Sequence, residues 1–161
     1  MTWMAQFQTD EDVGAAKRLL QLLDLVTGSD VDRKLFQLLK TFAQHNQGDF
    51  AIFSLRDITK AERATHYFGQ FDNDKPAKIA PAFGSEGRMG HFTRDMAKHL
   101  PTLHDHPSIS DMRRHRIRWI VLVDDNLSSG TRAATMVKHF YQHETIRSWH
   151  SFGWVQFAVL S

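Results

Sequence analysis

The stretch that most constrains this chain is RWIVLVDDNLSSGTRAATMV, Arg118 to Val137. Five apolar residues, Trp119 to Val123, run unbroken into Asp124 and Asp125, then into LSSGT, after which apolar residues recur at helical spacing. A short continuous apolar run bounded by turn residues is the pattern of a strand buried on both faces, and such strands belong to parallel sheets. Phe50 to Leu55 has the same character, and KIAPAF is a strand candidate weakened by Pro81. SFGWVQFAVL reads as one more strand. Helical patterns lie between them: a short one in AERATHYF, one after GSEGRMG that puts Phe92, Met96 and Leu100 on one face, and one over Thr131 to His143. Strands alternating with helices predict an α/β fold with a parallel or mostly parallel sheet.

The first third of the chain is different. Val13, Ala16, Leu19, Leu20 and Leu23 follow the cap-like pair Thr9 and Asp12 at helical spacing, and Leu35, Phe36, Leu38, Leu39 and Phe42 follow Ser29 and Asp32 in the same way. The expected organisation is an N-terminal helical segment at 1–48 and an α/β core at 49–161, together one structural domain. At 161 residues with 42% hydrophobic content, one core is what the chain can build. An apparent interior strand next to Ser161 suggests a C-terminal truncation or one half of a larger assembly.

No cysteine is present, which removes disulfides, zinc-thiolate sites and thiol nucleophiles. The formal charge of +2 with 10 histidines uncounted, and no long basic block, argues only weakly for an anionic ligand. The opening MTWMAQFQTDED lacks the pattern of a signal peptide, and no apolar run reaches membrane-spanning length, so a cytoplasmic location without membrane contact is expected.

In open parallel sheets, ligands sit beyond the carboxyl ends of the strands, where helix N-termini direct partial positive charge. There the sequence sets two acids and a loop bearing Ser128, Ser129, Gly130 and Thr131. Free N–H groups at the start of a helix, with hydroxyls and a glycine that lets the backbone come close, suit a phosphate monoester. Carboxylates repel that phosphate but accept hydrogen bonds from sugar hydroxyls one ribose length away. The pattern therefore predicts a 5-phosphoribosyl site.

IVLVDDNLSSGT also resembles the phosphoribosyl-diphosphate motif of type I phosphoribosyltransferases. The resemblance implies a Rossmann-like sheet of that kind. It also implies a site in which Asp124 and Asp125 hold the ribose hydroxyls and act in catalysis, Ser128 to Thr131 hold the 5-phosphate, and Asn126 and Leu127 complete the loop. Asn126 departs from the family's apolar preference, and Arg132 stands where a small hydroxyl residue is common. Over nearly its whole length, through TWMAQF, the leucine-rich helices, PAFGSEGRMGHFTRDM and the acid pair, the chain is similar to the phosphoribosyltransferase-like domain of bacterial conflict systems, PRTase-CE. That likeness implies a part in antiphage defence, as an effector enzyme or as a catalytically inactive nucleotide-sensing or interaction subunit of a retron-type complex. Phosphoribosyl diphosphate or a nucleotide, a defence protein or nucleoprotein, and an oligomer of unspecified order are the expected partners.

In these enzymes a second loop receives pyrophosphate, and GSEGRMG is the candidate, through Ser85, Gly87 and Arg88; Glu86 opposes it by charge. Magnesium is expected on the substrate pyrophosphate rather than on protein ligands. PTLHDHPSISDMRRHR is expected as a mobile flap from which Arg113, Arg114, His115 and Arg116 close over an anion. His99, His104, His106 and His115 are expected as solvated loop residues, with no protein metal centre among them.

Overall fold

The computed structural model describes residues 3–24, 26–58, 67–68 and 85–161. The predicted KIAPAF strand and most of AERATHYF lie outside those residues. The described chain divides into two units, Met1–Val31 and Asp32–Ser161.

In the first unit a 3-10 turn at Trp3–Gln6 leads to α1, Asp10–Leu22. The predicted cap at α1 forms: Thr9 Oγ1 accepts the Asp12 N–H at 3.1 Å and donates to the Asp12 carboxylate at 2.7 Å. The helix α2, Gly28–His45, begins two residues earlier than the cap-like pair Ser29 and Asp32 suggested. Thr27 Oγ1 accepts the Asp30 N–H while Asp30 accepts the Thr27 N–H, both at 3.2 Å, so Thr27 and Asp30 make the capping box expected of Ser29 and Asp32. Asp32 is thereby left for another partner.

The second unit holds α2 from Asp32 onward, then β1, Phe50–Ser54; α3, Ser85–His99; β2, Leu103–Asp105; α4, Ile109–Arg114; β3, Trp119–Val123; α5, Thr131–Phe140; α6, Glu144–Ser151; and β4, Gln156–Leu160. The strands form one sheet in the order β2-β1-β3-β4, parallel at every pairing. The predicted parallel α/β fold is thus present. The two central strands carry the unbroken apolar runs: every residue of β1 is buried, and β3 is buried from Ile120 onward. β4 has no fully buried residue and forms an edge of the described sheet, which corrects the expectation of an interior strand at this point.

Alternation along the strands sorts the two layers. Ala51, Phe53, Ile120 and Leu122 join one cluster with Ile109 and Met112 of α4, Met136 and Phe140 of α5, and Ile146 and Trp149 of α6. On the opposite face Phe42 of α2 sets its ring edge-on to Phe50 and Trp119, with centroids 5.8 and 5.1 Å away. α3 packs along β1 and β2. The supposed mobile flap is largely regular structure, because it supplies both β2 and the capped helix α4, with Ser108 Oγ accepting the Asp111 N–H at 3.0 Å. No helix among the described residues is long and apolar enough to cross a membrane.

Candidate functional site

The sheet order reverses direction between β1 and β3, and at such a switch point the loops leaving neighbouring strands part to opposite faces and open a crevice beyond the carboxyl ends. Asp124 and Asp125 leave β3 at that crevice, beside Ser54, which is paired with Val123. A parallel crossover obliges α3 to run back from the carboxyl edge to the start of β2, so its first turns reach the same place. Arg88 confirms this by donating from Nη2 to Asp125 Oδ2 at 2.8 Å and from Nη1 to Asp32 Oδ1 at 2.7 Å. Three residues predicted for the site, Asp124, Asp125 and Arg88, therefore meet at one edge of the sheet.

The two acids are not equivalent. Asp124 is 2% exposed, and its Oδ1 accepts the Asp125 N–H at 3.0 Å. Its Oδ2 accepts no hydrogen bond of good geometry, although Arg132 Nη2 lies 2.8 Å away as an ion-pair partner. Burial pushes the Asp124 carboxyl above the usual range, with the Arg132 charge pulling against it. Asp125 is half-buried; burial raises its carboxyl too, but the hydrogen bond and charge of Arg88 overcome that and hold it below the usual range. Asp125 is thus the acid presented to a ligand, and Asp124 is a buried acid compensated by charge but short of a directed donor.

The loop itself is open. Residues Asn126 to Arg132 surround a shallow depression, and Asn126, Ser128, Ser129 and Thr131 are exposed while Leu127 leans on the core. Gly130 is the N-cap of α5, in the left-handed region at φ 69°, and no side chain caps the helix. The hydroxyl of Ser129 instead donates to Thr131 Oγ1 at 3.0 Å and accepts the Thr131 N–H at 3.3 Å. With the Thr131 N–H taken by Ser129, the remaining N–H groups of the first turn of this ten-residue helix are left without a side-chain cap beside the depression.

GSEGRMG departs from expectation. Ser85, Gly87 and Arg88 belong to the first turns of α3 and not to a glycine loop; the burial of Met89, Phe92 and Thr93 holds the helix despite the ~1 kcal/mol each that Gly87 and Gly90 cost relative to alanine. Gly84 and the side chains of Ser85 and Glu86 lie outside what the structure describes. The Arg113–Arg116 cluster also departs: it precedes β3 in a parallel sheet and so lies at the amino edge, across the sheet from the acids. Arg113 stacks over Trp149, with 5.8 Å to the centroid, and Arg114 donates to Asp111 at 2.6 Å, so this cluster does not close over the acid pair.

One constellation at the carboxyl edge was not foreseen. His106 Nδ1–H donates to Asp105 Oδ1 at 2.6 Å, and Nε2 accepts both the Ser54 N–H and the Ser54 hydroxyl at 3.2 Å. Burial raises the Asp105 carboxyl, but the hydrogen bond and charge of His106, with further help from Thr93 and Arg94, bring it below the usual range. This has the order of a serine hydrolase relay, yet Ser54 is 4% exposed. Its hydroxyl is turned away from solvent, and the relay works as a clamp between the carboxyl ends of β1 and β2. His106 accepts a left-handed backbone, φ 45°, to make it. The expectation of a solvated loop histidine is corrected for His106 by this clamp and for His104 by its place in β2.

The geometry defines a parallel α/β protein of Rossmann-like architecture with an acid pair and an uncapped helix N-terminus at its switch point. No family model, curated protein or solved structure matches the chain.

Proposed function

We propose that the β3–α5 junction binds a 5-phosphoribosyl group, as phosphoribosyl diphosphate or a nucleotide, with a sheet of the type I phosphoribosyltransferase kind beneath it. One observation carries this: a partly exposed carboxylate, Asp125, stands at the switch point just before an open loop whose helix has no side-chain cap. The loop backbone and the hydroxyls of Ser128, Ser129 and Thr131 suit the 5-phosphate. Asp125 accepts from ribose hydroxyls with the lone pairs that Arg88 leaves free, and Asn126 and Leu127 shape the wall between.

In a transferase reading, pyrophosphate leaves C1 of the ribose as an acceptor nucleophile bonds there, and positive charge develops at that carbon. The chain's own part is to fix the ribose through Asp125 and to supply cationic charge from Arg88, freed when a ligand displaces its ion pair. Magnesium fits only on the substrate's own oxygens, because Asp124 is buried against Arg132 and Asp125 is engaged by Arg88.

The same two ion pairs favour a second reading, a binding module without transfer. An active transferase benefits from carboxylates that stay free, whereas here both are neutralised by guanidinium groups. The likeness to PRTase-CE makes a defence role the context for either reading, as effector or as nucleotide-sensing subunit beside a protein or nucleoprotein partner.

Titration calorimetry with phosphoribosyl diphosphate and magnesium tests the site. Wild type should bind, and Asp125→Asn should weaken binding at least tenfold, in line with about 1.5–3 kcal/mol for a hydrogen bond to a charged group. Absence of binding by folded wild type overturns the proposal. Pyrophosphate release with a panel of bases then separates transferase from sensor.

A further inference from the structure

At the amino edge of the sheet Asp49, His104 and His115 converge, with one donor atom from each within 4.8 Å of the others. We propose that this trio is a binding site for a divalent transition metal of the zinc class, separate from the phosphoribosyl site and independent of that reading.

Topology makes the convergence. β1 and β2 pair with Ala51 opposite His104, so alternation along β1 puts Asp49 and Ala51 on the side of the sheet that His104 faces. That is the side covered by α4, and His115 is the C-cap residue of α4. His104 Nε2–H donates to Asp49 Oδ2 at 2.8 Å, His115 Nδ1 lies 3.7 Å from the same oxygen, and the two imidazole centroids are 4.2 Å apart. Tetrahedral zinc with bonds of about 2.0–2.1 Å needs donors roughly 3.3 Å apart, so the two measured separations bracket the requirement. A turn of the His115 side chain, 38% exposed, sets the third donor.

The backbone is arranged for this. Gly48 at φ 98° turns the chain into Asp49, and Arg116 at φ 51° turns it directly after His115. A left-handed arginine is uncommon enough to need a reason, and here it ends α4 with His115 toward Asp49. The Arg118 N–H donates to the Asp49 carbonyl at 3.1 Å, which ties the β1 entry to the β3 entry beside the trio. Of the neighbouring basic residues, Arg114 is paired with Asp111, and Arg113 and Arg118 lie over Trp149 and Trp154.

The donor set chooses the metal. Two imidazoles and one carboxylate suit zinc, iron(II), cobalt or nickel better than magnesium or calcium, which prefer oxygen, or copper(I), which prefers sulfur. Three protein donors leave a coordination position open to water, and side-chain exposures of 21 to 38% give solvent a path to it. On entry the metal takes Nε2 of His104 as the ring changes tautomer, its proton passing through solvent to Nδ1, and the Asp49 oxygen exchanges a hydrogen bond for a metal bond. A bound ion would pin the β2 edge to the α4–β3 turn, and its open position would accept water or an anion.

Zinc titration by calorimetry on chelator-treated full-length protein, with cobalt(II) visible absorption in parallel, tests the site. The expected result is one tight equivalent of zinc and a cobalt ligand-field band of tetrahedral or five-coordinate intensity. His115→Ala and His104→Ala should each weaken zinc at least tenfold and remove the band. Exposed His115 serves as the test should His104→Ala not fold. A cobalt spectrum no stronger than that of the aqueous ion, or zinc affinity unchanged in folded His115→Ala, overturns the proposal, because the other histidines would then account for any uptake.

Discussion

The two edges of the sheet gather acids in different company. At the carboxyl edge Asp124 and Asp125 are matched to Arg132 and Arg88, guanidinium groups charged at every accessible pH. At the amino edge Asp49 is matched to imidazoles, whose nitrogens can serve as metal ligands. A guanidinium can leave its acid only by moving, so the carboxyl edge responds to a ligand that displaces an ion pair. The amino edge responds to what its nitrogens bind. The same parallel topology produces both, because it sends every strand's exit to one edge and every entry to the other.

The strongest way to break this contrast is at Arg132. Arg132→Leu leaves a buried Asp124 without its counter-charge, and stability should fall by about 2 kcal/mol, less than the 3–5 kcal/mol of a fully buried pair because Arg132 is 35% exposed. Adding Asp124→Asn should return most of that loss. Chemical denaturation of the two single variants and the double variant measures the coupling; additive losses would show that the pair is not one unit.

Next is the clamp that joins the exits of β1 and β2. His106→Ala removes three hydrogen bonds and leaves the Ser54 N–H unpaired, at about 1–3 kcal/mol. His106→Gly loses the same bonds but relieves the left-handed backbone, so it should be the milder variant by up to about 1 kcal/mol. Equal denaturation midpoints for the two would mean that φ 45° carries no strain.

A smaller effect is expected at Gly130, where φ is 69° and an added Cβ would meet no atom within 4 Å. Gly130→Ala therefore costs only the backbone term, about 1 kcal/mol, and Gly130→Asn less. Thermal melts report that cost, while calorimetry with phosphoribosyl diphosphate shows whether the loop still binds. A loss of affinity well beyond the loss of stability would place the glycine in contact with the ligand.

What was readable in the sequence follows physical range. The strands Phe50–Ser54 and Trp119–Val123 were legible because burial on both faces writes a continuous apolar run, and the acid pair was legible because it ends one. Arg88 was named for its charge, but its helix was expected to start only after GSEGRMG, since Gly87 and Gly90 argue for a loop and only tertiary burial of Met89 and Phe92 overrides them. β2 was missed because three residues, Leu103 to Asp105, are too few to show a period. With it were missed both clusters it completes, the Ser54–His106–Asp105 clamp and the Asp49–His104–His115 trio. Each joins residues more than fifty positions apart in the chain, and no local pattern records such pairings.

The smallest predicted effect is the most specific to the acid pair, because the two carboxyls shift in opposite directions. Asp124 is raised in the folded state, so the folded protein holds that proton more tightly than the unfolded chain. Stability from this group is fullest at low pH and declines as pH rises from the ordinary carboxylate range through the raised value. Asp125 is lowered, so its contribution is present above the ordinary range and fades as pH falls through the lowered value. Asp124→Asn should therefore leave stability at neutral pH equal or higher, and Asp125→Asn should reduce it, each by no more than about 1 kcal/mol given the partial exposure of the arginine partners. Urea denaturation of both variants and wild type between pH 4 and 8 reads the sign directly. Should Asp124→Asn lose stability at neutral pH as Asp125→Asn does, the buried acid would be a net structural asset. The contrast between a costly buried acid and a satisfied one presented to the ligand would then fail at the residue where it is sharpest.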